Sequence, residues 1–268
     1  MSKTIFITGA STGFGRIAAD ILHQKGHTVF GTSRNPGKHD TAFELTEMDV
    51  TNGESIKKAV AAVRQKFVHI DVLINNAGRV MFGPIEEASD NNIRELFETN
   101  VFGLMQVTAE VLPIMREQRS GRIINVTSLA GITATPSIGI YSATKHAVEG
   151  YSKSLMLEVE QFGIDVLLVK PGEYMTDAFA NSLASDLTID DYGKYRNLID
   201  QQVSVKTPDN LLPPAEVGQL IADLVDQENP RVDNLIGAFS DVIPGLLATP
   251  EQIYAVCRKV YQLDSLIQ

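Results

Sequence analysis

Tyr141 and Lys145 stand four residues apart in the run Ile140-Tyr141-Ser142-Ala143-Thr144-Lys145. Residues at i and i+4 share one face of a helix, so the ammonium can sit beside the phenol and favour its ionised form. A phenol tuned in this way can exchange a proton with an alcohol or carbonyl oxygen near neutral pH. Much earlier in the chain, Thr8-Gly9-Ala10-Ser11-Thr12-Gly13-Phe14-Gly15 makes a glycine-rich turn between a strand-like run and a helix-like one. Glycines at 9, 13 and 15 let the backbone turn tightly, approach a pyrophosphate and pack a helix against a strand; the helix amino terminus adds free amides and a positive dipole. A proton-exchanging phenol and a dinucleotide cradle in one chain predict nicotinamide redox chemistry.

The next informative stretch is Gly31-Thr32-Ser33-Arg34. It lacks the acid that would bond both ribose hydroxyls of NAD and would repel a 2′-phosphate. Arg34, with Ser33 beside it, is placed to receive that phosphate instead, although an arginine at a strand end is also a common solvated residue. NADP(H) is therefore the predicted cofactor, with NAD(H) as the alternative.

The elements that must position these residues follow from the hydrophobic pattern. Strand-like runs at residues 4–8, 27–32, 72–75, 122–127 and 164–169, with a third strand ending near residues 48–50, alternate with helical patterns. Helices are predicted over residues 14–25, 91–99, 101–118 and 141–162, with Thr51 and Glu54 forming a capping box for another. Alternation of this kind predicts an α/β fold: a doubly wound parallel sheet (Rossmann fold) in three αβα layers, folded as a single domain over residues 1–268. Residues 164–169 are apolar enough for a strand buried on both faces, and Pro171-Gly172 ends it. From 176 to 212 the periodicity weakens, which predicts a lid segment over the substrate. Pro214 opens another helix, residues 235–237 form a last edge strand, and Thr249-Pro250 caps a carboxyl-terminal helix over 249–268.

The bulk properties narrow the function classes. The chain has 268 residues, 44% of them hydrophobic, enough for a sizeable core. Its formal net charge of −10 repels polyanions, so nucleic acid is not an expected partner. Cys257 is the single cysteine, which excludes an intrachain disulfide and a cysteine zinc site and fits a reducing cytoplasm. No metal is expected. The first strand begins almost at once and no later apolar run has the length of a bilayer span, so neither a signal segment nor a membrane span is expected.

These motifs, in this order, resemble the short-chain dehydrogenase/reductase family in its compact single-domain branch, over about residues 4–240. Residues 8–15 are similar to that family's cofactor turn, which brings Ser11, Thr12 and Phe14 in with the three glycines. Asp49-Val50 looks like its adenine contact, and Asn75-Asn76-Ala77-Gly78 like the turn that stabilises the central sheet beside the cofactor. Asn100, Ser128, Tyr141 and Lys145 match its catalytic four. Pro171-Gly172 followed by Thr176 resembles the segment that holds the nicotinamide carboxamide. Tyr174 departs from the pattern, standing where relatives usually carry a small branched aliphatic residue.

The resemblance implies a mechanism in which each residue has a physical warrant. The Ser128 hydroxyl would bond and place the substrate carbonyl, and Tyr141 would protonate the developing alkoxide during reduction. Lys145 would lower the Tyr141 pKa and hold the nicotinamide ribose, while Asn100 would anchor a water leading protons to Lys145. Ile138, Tyr174, Phe179 and Leu183 could line an apolar cleft over the nicotinamide, although each could equally be packing. After residue 237 the chain lacks the aspartate-glycine-glycine ending of many tetrameric relatives. Its tail looks more like that of retinol and hydroxysteroid dehydrogenases, which implies a larger lipophilic carbonyl or alcohol as the small-molecule substrate. The helices around residues 100–118 and 141–162 form the usual dimer surface in such proteins, which implies a homodimer. The competing readings are an NAD-linked alcohol dehydrogenase and a non-catalytic NADPH-sensing protein. An epimerase of the extended relatives is disfavoured because too little chain follows Pro171.

Overall fold

Ile5, Phe6 and Ile7 are fully buried, and successive residues face opposite sides of one sheet: Ile5 and Ile7 join one apolar cluster, Phe6 another. The same two-sided burial recurs in every inner strand, as a parallel sheet covered by helices requires. In the computed structural model, which describes residues 2–133, 135–174, 182–204 and 212–237, seven strands form one parallel sheet. They are β1 (Thr4–Ile7), β2 (Thr28–Ser33), β3 (Glu44–Glu47), β4 (Val72–Asn75), β6 (Gly121–Val126), β7 (Ile164–Pro171) and β9 (Asp233–Ile236). Their order is β3-β2-β1-β4-β6-β7-β9. The chain winds outward from β1 to β3, then restarts beside β1 at β4, so a crevice opens between the carboxyl ends of β1 and β4. Backbone bonding continues past the strands there, with Thr8 N donating to Ile74 O at 3.0 Å.

One face of the sheet is covered by α1 (Gly13–Gln24) and α7 (Ala215–Asp226), through Ala18, Leu22, Ile221 and Val225. The other is covered by α2 (Gly53–Lys66), α4 (Gly103–Gln118) and α5 (Gly139–Val159), through Val60, Val107, Val111 and Leu155. The predicted three-layer architecture is thus the observed one. Among the described residues no helix is long and apolar enough to cross a membrane.

Several local expectations change. The cap of α2 is Asn52, whose Oδ1 accepts from Glu54 N and Ser55 N at 3.0 Å each; Thr51 instead bonds Asp49, so no Thr51–Glu54 capping box forms. The third strand stops at Glu47, before Met48, Asp49 and Val50. Asn100 does not lie in a break between helices. It lies in a π-helical turn, Glu98–Phe102, that joins α3 (Asp90–Phe97) to α4 without interruption. Two-residue strands β5 (Met81–Phe82) and β8 (Leu183–Ala184) pair in parallel, and α6 (Gly193–Ser204) follows, so the stretch expected to be irregular carries structure of its own. The expected helix over 249–268 lies outside the described residues.

Candidate active site

The cofactor turn is held from beneath by a side chain that the sequence motifs did not single out for that task. Asn76, which follows β4, donates through Nδ2 to Thr8 O (3.0 Å) and Gly9 O (2.9 Å). Thr8 Oγ1 returns the contact by accepting from Asn76 N and Ala77 N, each at 3.0 Å. The glycines make this possible. Gly9 and Gly13 have φ of +66° and +56°, a region that side chains disfavour. A methyl group at Gly15 would fall 2.3 Å from Asn76 Nδ2 and 2.5 Å from Gly9 O. Thr12 caps α1 in an extended conformation, its side chain makes no capping hydrogen bond, and no acid stands in the first turn. The result is a rigid, amide-lined concavity suited to a pyrophosphate. Ser11 is half-buried in this turn, while Phe14 turns away and packs edge-on against Tyr174 at 5.6 Å between ring centroids.

Farther along the crevice, Ser33 ends β2 and accepts from Asn35 N at 3.2 Å. Arg34 is exposed and forms no ion pair among the described residues. Asp49 Oδ1 accepts from Thr51 N and Oγ1 at 2.9 and 2.8 Å, and Val50 is buried against Gly103. Gly78 brings the two halves of the site together: a Cβ there would meet Asn100 Oδ1 at 3.4 Å and Lys145 Nζ at 3.7 Å.

Asn100 is fully engaged. Its Oδ1 accepts from Arg79 N (2.8 Å), and its Nδ2 donates to Arg79 O (2.8 Å) and to Thr144 Oγ1 (3.1 Å). Thr144 Oγ1 in turn donates to Tyr141 O at 2.7 Å, so Asn100 is linked to the tyrosine through Thr144. Tyr141 and Lys145 share one face of α5 as their spacing predicts, with Nζ 5.7 Å from the phenol ring centre. Lys145 Nζ donates to Val126 O at 3.0 Å, at the end of β6. Ser128 follows that strand, accepts from Ala130 N at 3.1 Å and is hydrogen-bonded with Tyr141. Its Oγ also lies 3.5 Å from Pro171 O, so the turn at Pro171-Gly172 is part of the same cluster.

Burial pushes the Tyr141 phenol up to about 12, and the Ser128 hydrogen bond only partly offsets this. The Lys145 ammonium is turned to Val126 O and stands 5.7 Å from the centre of the phenol ring. Burial in turn brings Lys145 down to about 8, against the pull of Glu149, which raises it. At neutral pH the cluster therefore holds a protonated phenol beside an ammonium, an arrangement suited to giving a proton away.

The expected substrate-lining residues fare unevenly. Tyr174 is 5% exposed, packs among the apolar residues under α1 and α7 and donates to Glu216 Oε1 at 2.7 Å. A Cβ at Gly237 would fall 2.4 Å from its hydroxyl. It is a packing residue turned away from the cleft, and this differs from its expected place in a substrate wall. Ile138, just before α5, and Leu183, in β8, are half-buried. Thr176 and Phe179 lie outside the described residues.

Comparison with known proteins agrees with the geometry. A family model described as short chain dehydrogenase matches residues 3–186, and the chain belongs to that family of oxidoreductases. The 3-ketodihydrosphingosine reductase of Bacteroides thetaiotaomicron is 39% identical over 246 residues, which is 90% of this chain and 90% of that one. A short-chain dehydrogenase structure from Streptomyces avermitilis superposes with a TM-score of 0.81 at 33% identity, covering 99% of this chain and 98% of that one. Another, from Burkholderia cenocepacia in complex with NADP, has a TM-score of 0.78 over 96% of this chain and 97% of that one; at 23% identity its likeness is one of fold.

Proposed function

We propose that this oxidoreductase is an NADP(H)-dependent reductase of a lipophilic ketone or aldehyde, able to run in reverse as an alcohol dehydrogenase. The observation that carries the reading is the cluster at the end of β6, where the hydroxyls of Ser128 and Tyr141 are hydrogen-bonded with Lys145 and Asn100 behind them. Residues 9–15 and 76–78 fit a dinucleotide, because the glycines let the turn close on Asn76 and Ala77, where a Cβ at Gly15 would fall 2.3 Å from Asn76 Nδ2 and one at Gly9 3.0 Å from Ala77 Cα, and the Thr12 side chain leaves the amides at the start of α1 uncapped. Exposed Arg34, with no acid at the end of β2, supports NADP(H) over NAD(H). The name of the Bacteroides relative supports a lipophilic ketone.

When bound, the nicotinamide supplies hydride to the carbonyl carbon. The chain's own groups handle the oxygen. Ser128 and Tyr141 bond it and fix its orientation, and the Tyr141 phenol delivers the proton as negative charge develops. Lys145, cationic below about pH 8, stabilises the phenolate that remains. Residues 176–212 serve as the covering segment. Helices α4 and α5 form the interface of a homodimer, and the single cysteine fits a reducing cytoplasm.

The test is the rate of NADPH and NADH oxidation by the purified protein over carbonyl compounds running from small and polar to long-chain and steroid-like, with Tyr141→Phe alongside. Turnover that favours NADPH and apolar ketones, and falls at least ~100-fold in the variant, is expected. NADPH binding without turnover of any carbonyl or alcohol would instead make the protein a cofactor sensor.

A further inference from the structure

Behind the site lies a buried ion cluster that the mechanism above does not use. Glu149, on α5 one turn after Lys145, is 4% exposed, and Lys170, on β7 immediately before Pro171, is 2% exposed. Glu149 Oε1 accepts from Thr127 Oγ1 at 2.8 Å, and Thr127 immediately precedes Ser128. Glu149 Oε2 lies 2.9 Å from Lys170 Nζ and 3.2 Å from Lys153 Nζ, in ion-pair contact without the alignment of a hydrogen bond. Lys170 Nζ also reaches Asp233 Oδ1 on β9 at 2.6 Å. The turn after Ser128 closes over the group: a Cβ at Gly131 would come within 3.2 Å of both Glu149 Cγ and Lys145 O.

We propose that Glu149 is a positioning residue for the reaction: its buried carboxylate ties together the segments that carry Ser128, Lys145 and Pro171-Gly172, and sets a negative charge one helical turn behind the Lys145 ammonium. Two of its contacts, Thr127 and Lys170, are each one residue from a site residue, Ser128 and Pro171. Burying a carboxylate and an ammonium costs several kcal/mol of desolvation per ion, and apolar residues would brace the same segments at least as well. A brace alone therefore does not explain the charge. An acid facing Lys145 does, because burial draws Lys145 down and Glu149 opposes that. The charged groups facing the carboxylate are Lys145 and Lys153 from α5 and Lys170 from β7, with Asp233 of β9 beyond Lys170.

The inference rests on Tyr141 and Lys145 being the proton-transfer pair, and the experiment separates the two. The pH dependence of kcat for NADPH-linked carbonyl reduction is measured for the wild type, Glu149→Gln, the double variant Glu149→Gln/Lys170→Met and Tyr141→Phe, each with its melting temperature. The alkaline limb of kcat is expected to move about one unit to lower pH in Glu149→Gln. The double variant, which leaves no unpaired Lys170 cation in the core, is expected to shift the same way and to keep the assay informative if the single variant does not fold. An alkaline limb that stays in place in a folded variant, with only the melting temperature lowered, reduces Glu149 to a structural brace and overturns the proposal. Full turnover in Tyr141→Phe would overturn the proton-transfer reading itself, whatever Glu149→Gln does.

Discussion

Lys145 and Tyr141 enter the folded protein with pKa values moved in opposite directions, and each shift acts on stability. Lys145 falls from 10.5 to about 8, so between those values the unfolded chain holds a proton that the folded protein has released. Stability contributed by this group therefore rises with pH across that window. Tyr141 rises from 10.0 to about 12, so above pH 10 the folded protein holds the extra proton and stability falls as pH increases. The expected outcome for cofactor-free protein is a melting temperature that climbs from pH 8 towards 10 and then declines. In Lys145→Met the climb should vanish while the decline remains; parallel curves for the two proteins would show that the lysine is not buried in the sense described here. Tyr141 and Lys145 were legible as a pair because their spacing is a local property, whereas Asn100 and Ser128 entered only through the family resemblance. The placement of Tyr174 was not legible. Its orientation depends on Glu216, 42 residues away, and on the room left by Gly237. Glu149 carried a readable signal, its i+4 spacing from Lys145, but its partners Thr127 and Lys170 meet it only once β6, β7 and α5 are packed.

Elements show the same division between local and distant causes. Runs buried on both faces, such as β4 and β7, were legible as strands because no polar alternation interrupts them. The helix ends were less so, since two adjacent residues can each offer a capping oxygen and the backbone decides between them. At α2 that residue is Asn52, at φ −124° and ψ 106°, with both amide contacts made by its Oδ1. Asn52→Ala is expected to cost about 1 kcal/mol in denaturant unfolding, whereas Thr51→Ala, which removes only an exposed contact to Asp49, should cost well under half of that. The reverse ranking would restore the capping box read from the sequence. The sequence pattern put a break between two helices at Asn100, yet the π turn at Glu98–Phe102 is what carries the Asn100 side chain to Arg79 and Thr144. Strands β5 and β8 are too short to produce any period of two, and their pairing joins segments a hundred residues apart.

At the scale of the whole molecule, the alternation of strands and helices was enough to predict the layers, because right-handed crossovers leave few ways to order such units, while the switch point between β1 and β4 came from the strand order of the folded sheet. The surface gives less away. Two large apolar side chains stand out on the helical layer formed by α4 and α5: Phe102 at 45% exposed, next to the start of α4, and Leu157 at 72%, near the end of α5. These helices and the π turn before α4 already pack on each other through Val101, Leu104 and Val148. A chain carrying a net charge of −10 repels its own copies, and an interface must bury apolar surface to overcome that. Light scattering is expected to give about twice the 29.3 kDa chain mass for the wild type. Leu157→Glu adds a like charge from each copy to the proposed interface and should reduce the mass to that of one chain, while changing monomer stability by no more than about 0.5 kcal/mol. A wild-type mass of 29.3 kDa would refute the dimer outright, and a Leu157→Glu protein that remains dimeric would place the interface on another face.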